Sequence, residues 1–297
     1  MTASHPKLVL LRRKAREEHR PVAELLQYFA MERFLYRLGV SPHVGAFVLK
    51  GAMMLRIWDA KMARPTRDID LLAFGSNDLD QVVLRLKEIC AVHVADDGIL
   101  FEPESFRAEP IKEGDDYQGA RVRFVGRLGE TRIQMQIDLG FGDVVHPEIA
   151  WAEFPVLLGD PAPRIRSYSR ETAIAEKLHA MVKLASLNSR MKDFHDIVHL
   201  SHQGSFRLED LVQAVVKTFE ARGTPVPTDI ASWQEEYVAS HAAMWRSYLA
   251  RVRESDGPEL SDVIVELRIF LAPVLAADRK NRFNEASWSP ARRIWED

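Results

Sequence analysis

Asp68 and Asp70 flank a single apolar residue, Ile69, in the run Thr66-Arg-Asp-Ile-Asp-Leu71. If that run is a β-strand, its period of two puts both carboxylates on one face and turns Ile69 and Leu71 towards an apolar layer. Carboxylates that close repel unless a cation neutralises them. Hard oxygen donors at this spacing suit Mg²⁺ or Mn²⁺, which keep water or phosphate oxygens as their other ligands. The plainer alternative is an exposed strand on which each carboxylate faces water or pairs with a neighbour such as Arg67. A second run bears on the choice: in residues 131–139, Ile133, Met135 and Ile137 alternate with Gln134, Gln136 and Asp138, so Asp138 falls on the polar face. Were the two strands neighbours with their polar faces aligned, Asp138 would supply a third carboxylate. Three carboxylates can hold two ions, one to organise a triphosphate and one to lower the pKa of an acceptor hydroxyl for in-line attack. Asp138 would then stand on the hydroxyl side, able to take its proton. Gly140 and Gly142, just beyond it, either admit a substrate closely or end the strand.

Upstream, Lys50-Gly51-Ala52 sits where a β-prone run, residues 46–50, gives way to a helical one. Free backbone N–H groups at such a junction favour a phosphate, which makes Lys50 and Gly51 candidates for a triphosphate cradle. No Gly-x-x-x-x-Gly-Lys-Ser/Thr and no Gly-x-Gly-x-x-Gly occurs in the chain, so kinase and dinucleotide readings lose their main support.

The elements that would position these residues follow from periodicity. Residues 21–38 read as a helix closed by Gly39, residues 52–58 as a short helix, residues 68–74 as a strand and residues 79–89 as an amphipathic helix. Strands are expected at 99–106, 120–126 and 131–139. Three prolines and a glycine fall within residues 155–163, and β patterns cease after them, which places a boundary between an α+β domain at 1–160 and an all-helical domain at 161–297. Helices are expected there at 172–187, 192–201, 208–222, 231–253 and 260–277.

Hydrophobic residues make up 46% of the chain and charged residues 28%, and its apolar runs are too short to cross a bilayer, so no membrane partner is expected. The N-terminus lacks the apolar core of a secretory signal and Cys90 is the single cysteine, which together favour a cytoplasmic address. The net charge of -3 gives no overall sign of nucleic-acid binding. Yet between Arg164 and Lys192 seven basic residues meet only Glu171 and Glu176, either as a binding surface or as a solvated helix face. His195 and His199 have the spacing of helical zinc ligands, with His202 nearby, but no His-Glu-x-x-His accompanies them and they read as ordinary histidines. Trp233, Trp245, Phe270, Leu271 and Trp288 read as core. Arg279-Lys280, Arg282 and Arg292-Arg293 read as nucleic-acid contacts or solvated ends.

Five segments, in this order, carry a resemblance: Phe47-Val-Leu-Lys-Gly-Ala52, Arg64-Pro-Thr-Arg-Asp-Ile-Asp-Leu71, Gln136-Ile-Asp-Leu-Gly-Phe-Gly-Asp143, Glu171-Thr-Ala-Ile-Ala-Glu-Lys-Leu178 and Arg190-Met-Lys-Asp-Phe-His-Asp196. The set resembles the polymerase-β-like nucleotidyltransferase superfamily and, within it, the AbiEii/AbiGii-type toxins. The resemblance implies an α+β nucleotidyltransferase domain with a mixed sheet, followed by a helical domain. It implies transfer of NMP from an NTP to an RNA hydroxyl, at the tRNA 3′ end, with Mg²⁺ or Mn²⁺ and with a cognate antitoxin as partner. Asp68, Asp70 and Asp138 would be the metal ligands, joined in catalysis by Lys177 and Asp196. Lys50, Gly51, Arg67, Lys177, Lys192 and Asp193 would bind nucleotide. Asp193 or Asp196 would position Lys177, although Lys192 and Asp196 also fit a simple i,i+4 surface pair. Thr66 occupies the position at which some relatives are silenced by phosphorylation. The family's glycine turn usually continues with Gly or Ser and a hydroxyl residue, where this chain has Ala52-Met53-Met54. Two alternatives stand beside this reading: a small-molecule or protein acceptor, as in antibiotic-modifying enzymes, and a catalytically silent module that acts through a partner.

Overall fold

The computed structural model describes residues 5–59, 64–113, 116–277 and 285–296. The chain divides into two compact units, one running to Asp143 and including Ala150–Tyr168, the other comprising Val144–Ile149 and the chain from Ser169 onward.

The first unit contains α1 (Pro6–Glu17), α2 (Val22–Val40), β1 (Phe47–Lys50), α3 (Ala52–Trp58), β2 (Ile69–Ala73), α4 (Leu79–Cys90), β3 (Ile99–Phe101), β4 (Arg107–Glu113), β5 (Asp116–Leu128), β6 (Thr131–Phe141), β7 (Ala150–Glu153) and β8 (Arg164–Ser167). Its sheet runs β3-β5-β6-β2-β1-β8-β7, and β4 also pairs with β5. The sheet is mixed, as expected: β2 lies parallel to β6 and β1 parallel to β8, while β1 and β2, like β5 and β6, are antiparallel.

Alternation along β6 buries Ile133, Met135, Ile137 and Leu139 and leaves the intervening polar side chains on the other face. Against the apolar face packs α2, which is buried nearly all round and carries Glu32, Arg33 and Arg37 inward with Phe29, Phe34 and Leu35. Those charges are matched locally. Arg37 forks onto Asp97 at 2.7 and 3.1 Å, and Glu32 accepts the Leu157 amide at 2.8 Å beside the Arg33 guanidinium, also at 2.8 Å. Burial nonetheless pushes the Glu32 carboxyl up to about 7, against the opposing pull of Arg33 and the Leu157 amide.

Several elements depart from the expectations of periodicity. Residues 6–17 form a helix whose Leu8, Leu11 and Ala15 are buried, with Pro6 in its first turn and the His5 ring accepting the Lys7 amide. The strand expected at 99–106 stops at Phe101, where a turn containing Pro103 intervenes before β4. A strand, β8, does follow the proline-rich stretch, because residues 164–167 pair antiparallel with β7 along their length and meet β1 in parallel at Ser167.

The second unit contains α5 (Arg170–Leu184), α6 (Met191–Gln203), α7 (Leu208–Ala221), α8 (Glu235–Val252), α9 (Leu260–Ala276) and a ribbon of β9 (Ser287–Ser289) and β10 (Ile294–Glu296). Ser169 starts α5 by accepting the Thr172 amide at 3.1 Å, a cap worth about 1 kcal/mol. The segment expected as one helix from 231 ends a short turn at Trp233 and restarts at Glu235. Trp233, Trp245, Phe270, Leu271 and Trp288 are all buried, and Trp288 and Trp295 flank Phe270 at ring distances of 4.7 and 5.8 Å. Among the described residues no helix is long and apolar enough to cross a membrane.

Candidate functional site

Parallel pairing of β2 with β6 sets Asp70 directly beside Asp138 and stacks Ile69 on Ile137 and Leu71 on Leu139. The four apolar side chains are buried, so a one-residue slip would turn them all to the polar face. Hydrophobic burial therefore fixes which carboxylates meet. Ligand oxygens of Asp68, Asp70 and Asp138 lie within 4.8 Å of one another, and all three residues are half-buried. Among the described residues no other group of three or more His, Cys, Asp or Glu side chains gathers in this way. Three converging hard oxygen donors fit one or two divalent cations of the Mg²⁺ type.

The same registers extend the site into a row across five strands: Glu109 on β4, Arg121 on β5, Asp138 on β6, Asp70 on β2 and Lys50 on β1. Arg121 donates from Nε and Nη2 to the two oxygens of Asp138 at 2.8 and 2.6 Å. Those bonds raise the pKa of Arg121 further above its ordinary value, against the partial burial that would lower it. At the other end, Lys50 Nζ donates to Asp143 at 2.5 Å and lies 5.5 Å from the centre of the Tyr168 ring, whose hydroxyl donates to Asp143 at 3.4 Å. Gly140 leaves room for that pair, since a Cβ there would meet Lys50 Nζ and the Asp143 carboxylate at 3.2 Å.

Gly51 is fixed by two independent constraints. Its φ is +69°, and a Cβ would fall 2.0 Å from Asp70 Oδ2. Its immediate role is thus to clear space for a candidate metal ligand. Ala52, Met53 and Met54, which replace the usual continuation of the turn, are buried and serve the core.

The segment leading into Asp68 is pinned by α2. Tyr28 accepts the Thr66 amide and donates to the Arg64 carbonyl, both at 3.1 Å, and Gln27 donates to the Arg67 carbonyl at 3.1 Å. The guanidinium of buried Arg56 stacks on the Tyr28 ring at 4.3 Å. Thr66 then donates its hydroxyl to Asp68 Oδ1 at 2.9 Å, while the Arg67 side chain is exposed.

In the helical unit, Lys177 on α5 donates to Asp196 at 2.7 Å and to Asp193 at 3.5 Å, and Arg190 donates to Asp193 at 2.5 Å. Asp193 and Asp196 are fully buried, whereas Lys192 is exposed. His195 lies with Nε2 3.0 Å from Glu254 and Nδ1 3.8 Å from Asp196. Burial opposes its charge, but the two carboxylates outweigh burial and raise its pKa above the usual 6.5. His202 pairs with Glu266 at 2.8 Å. The basic stretch is largely engaged with local partners: Arg164 stacks on Trp151 at 5.3 Å, Arg166 on Phe74 at 5.5 Å, and Lys177 and Arg190 hold aspartates. Arg292 and Arg293 pair with Glu296 and Glu266, while Arg279, Lys280 and Arg282 lie outside the described residues.

Sequence reasoning missed Arg121, Asp143 and Tyr28. Asp143 ends one of the quoted segments and Arg121 alternates with buried Val122, so each left a faint trace. Tyr28 left none, since its apolar ring satisfies the helix pattern and only its hydroxyl reaches the site segment.

A sequence profile described as the nucleotidyl transferase AbiEii toxin of type IV toxin–antitoxin systems matches residues 33–267. No protein of curated function matches the chain. Two solved Helicobacter pylori structures are similar. JHP933 is 17% identical with a TM-score of 0.47, over 85% of this chain and 91% of that one. A protein provisionally described as a nucleotidyltransferase is 16% identical with a TM-score of 0.48, over 88% of this chain and 98% of that one.

Proposed function

The chain belongs to the AbiEii nucleotidyl transferase toxin family of type IV toxin–antitoxin systems, and on that premise we propose that it transfers NMP from an NTP to an RNA hydroxyl at the tRNA 3′ end, with pyrophosphate as the leaving group. The observation that carries the reading is the meeting of Asp68, Asp70 and Asp138 oxygens within 4.8 Å, set by the β2–β6 register. These residues would hold a pair of Mg²⁺ or Mn²⁺ ions. When bound, the ions supply charge that organises the triphosphate and acidifies the acceptor hydroxyl.

The chain's own residues do the rest. Asp138 takes the proton of the attacking hydroxyl on a carboxylate oxygen. Lys50, held between Asp143 and the Tyr168 ring, exchanges part of its pairing for the triphosphate. Gly51 keeps Asp70 in place, and exposed Arg67 offers a further phosphate contact. From the helical unit the family resemblance assigns phosphate contacts to Lys177 and Lys192. Asp193 and Asp196 fix the direction of the Lys177 ammonium.

Thr66 is the proposed point of control. A phosphate there would replace a hydroxyl donor to Asp68 with about two negative charges. Mass spectrometry of toxin recovered with its antitoxin should detect phospho-Thr66, and a uniformly unmodified Thr66 would remove this step. The cognate antitoxin is the expected protein partner, and the cytoplasm, where NTPs and tRNA coexist, is the expected compartment.

The deciding experiment incubates the protein with Mg²⁺, each labelled NTP in turn and total tRNA. Label on tRNA from wild type but not from Asp68→Ala is the expected result. Label on protein or a small molecule would move the acceptor class, to which the net charge of -3 offers no obstacle. No labelled product with any NTP would sink the enzymatic reading. Toxicity that survives Asp70→Ala would favour a silent module acting by occupancy.

A further inference from the structure

Asp138 differs from Asp68 in what already holds it. Asp68 accepts the Thr66 hydroxyl and the Arg67 amide, both neutral donors. Asp138 instead stands opposite Arg121 in the antiparallel β5–β6 register and receives a two-pronged guanidinium contact on both oxygens at 2.8 and 2.6 Å. A fork of this kind occupies one lone pair on each oxygen, and a guanidinium cannot discharge itself by losing a proton. A cation that seeks full access to Asp138 must therefore share it with, or take it from, a fixed positive charge. The Arg121 side chain is one-third exposed, so water can solvate it once displaced.

We propose that Arg121 is a positioning residue that competes with a divalent cation for Asp138. A first ion is recruited through Asp68 and Asp70, and Asp138 is engaged fully only when Arg121 leaves it. An incoming triphosphate, being anionic, offers the guanidinium its replacement partner. The device would keep the centre from closing on metal alone and would couple assembly of the third ligand to the arrival of nucleotide. It rests on the metal-dependent reading of the cluster. Arg123 is a built-in comparison: two residues along the same strand, it donates to Gln136 at 3.1 Å and Glu109 at 2.8 Å, and to no member of the carboxylate cluster.

The test is a Mn²⁺ titration of the full chain without nucleotide, read by the electron paramagnetic resonance signal of the free ion. Variants are Arg121→Met, Arg121→Lys, Arg123→Met and Asp68→Asn, with thermal melts run alongside. Loss of the competitor in Arg121→Met should tighten Mn²⁺ binding about five- to tenfold, where tenfold corresponds to about 1.4 kcal/mol. Arg121→Lys keeps the charge but loses the fork and should tighten it about two- to threefold. Arg123→Met removes the same charge nearby and should stay within about twofold of wild type. A purely structural arginine would lower the melting temperature and leave metal affinity equal or weaker. Equal or weaker binding in Arg121→Met overturns the proposal, as does tightening of the same size in Arg123→Met. Should Arg121→Met fail to fold, unchanged affinity in Arg121→Lys overturns it. Wild type that binds Mn²⁺ no better than Asp68→Asn removes the metal centre itself, whereas wild type superior to Asp68→Asn with Arg121→Met unchanged removes only the role of Arg121.

Discussion

In the sheet unit three half-buried carboxylates converge, with Arg121 forked onto one of them; in the helical unit two fully buried aspartates divide Lys177 and Arg190 between them. The first cluster is half-buried and keeps access to water. The second pairs two fully buried aspartates with Lys177 and with Arg190, whose side chain reaches solvent. Carboxylates gathered this closely repel one another until a cation arrives, and a buried, matched pair costs the fold energy only when a partner is taken away. The two clusters thus differ in burial and in pairing: one gathers half-buried carboxylates, the other sets buried ones against cations.

The largest effect should separate them on activity. Asp70→Asn is expected to lower transfer on the order of 10³-fold, the equivalent of several kcal/mol of lost charge stabilisation, while the melting temperature holds or rises as repulsion is relieved. A clear fall in melting temperature would erase the contrast. Asp196→Ala should do the opposite on stability: it leaves the Lys177 ammonium only its longer contact to Asp193 at 3.5 Å, and denaturant unfolding should show a loss of about 3 kcal/mol. Full stability in that variant would make the helical cluster a second poised site.

A smaller effect is expected at Gly51→Ala, where the backbone conformation alone costs about 1–3 kcal/mol. The added methyl must also push Asp70 aside, so Mg²⁺ protection against thermal unfolding should shrink in the same variant. Normal Mg²⁺ protection in Gly51→Ala would show that Asp70 is not placed by the glycine.

The last contrast concerns a buried carboxylate of the sheet unit that, like the helical pair, has a cationic partner, but in which burial outweighs that partner. The Glu32 carboxyl is raised from 4.5 to about 7 in the folded protein. Its proton therefore leaves the unfolded chain first as pH rises. The contribution is fully present below about pH 4.5 and is lost as pH climbs through about 7, so stability declines across that window. Glu32→Gln should flatten the decline in denaturant melts taken between those values, and an unchanged slope would mean that Arg33 neutralises Glu32 throughout.

Much of this molecule was legible in its residues. Alternation in 131–139 located Asp138 on a polar face, period two placed Asp68 with Asp70, and the apolar repeats marked α2, α4 and the helices from α5 to α9 within a few residues. These are local patterns, set by the geometry of a single strand or helix, and a sequence carries them without reference to the rest of the chain. The helix at 6–17 escaped because its basic residues dominate the composition and its apolar face is narrow, and β8 escaped because four residues become a strand only when a partner is beside them.

Pairing, by contrast, belonged to the tertiary structure. That β2 runs parallel to β6, that Asp70 meets Asp138 rather than a neighbour, and that Arg121 and Lys50 end up in the same row all depend on long-range registers. Those registers are chosen by burying Ile69, Leu71, Ile137 and Leu139 together. The sequence determined which side chains share a face; the packing of apolar residues on the opposite face decided which faces meet. The charge balance of the site is a by-product of that apolar choice, because side-chain electrostatics act over distances that only the folded sheet defines.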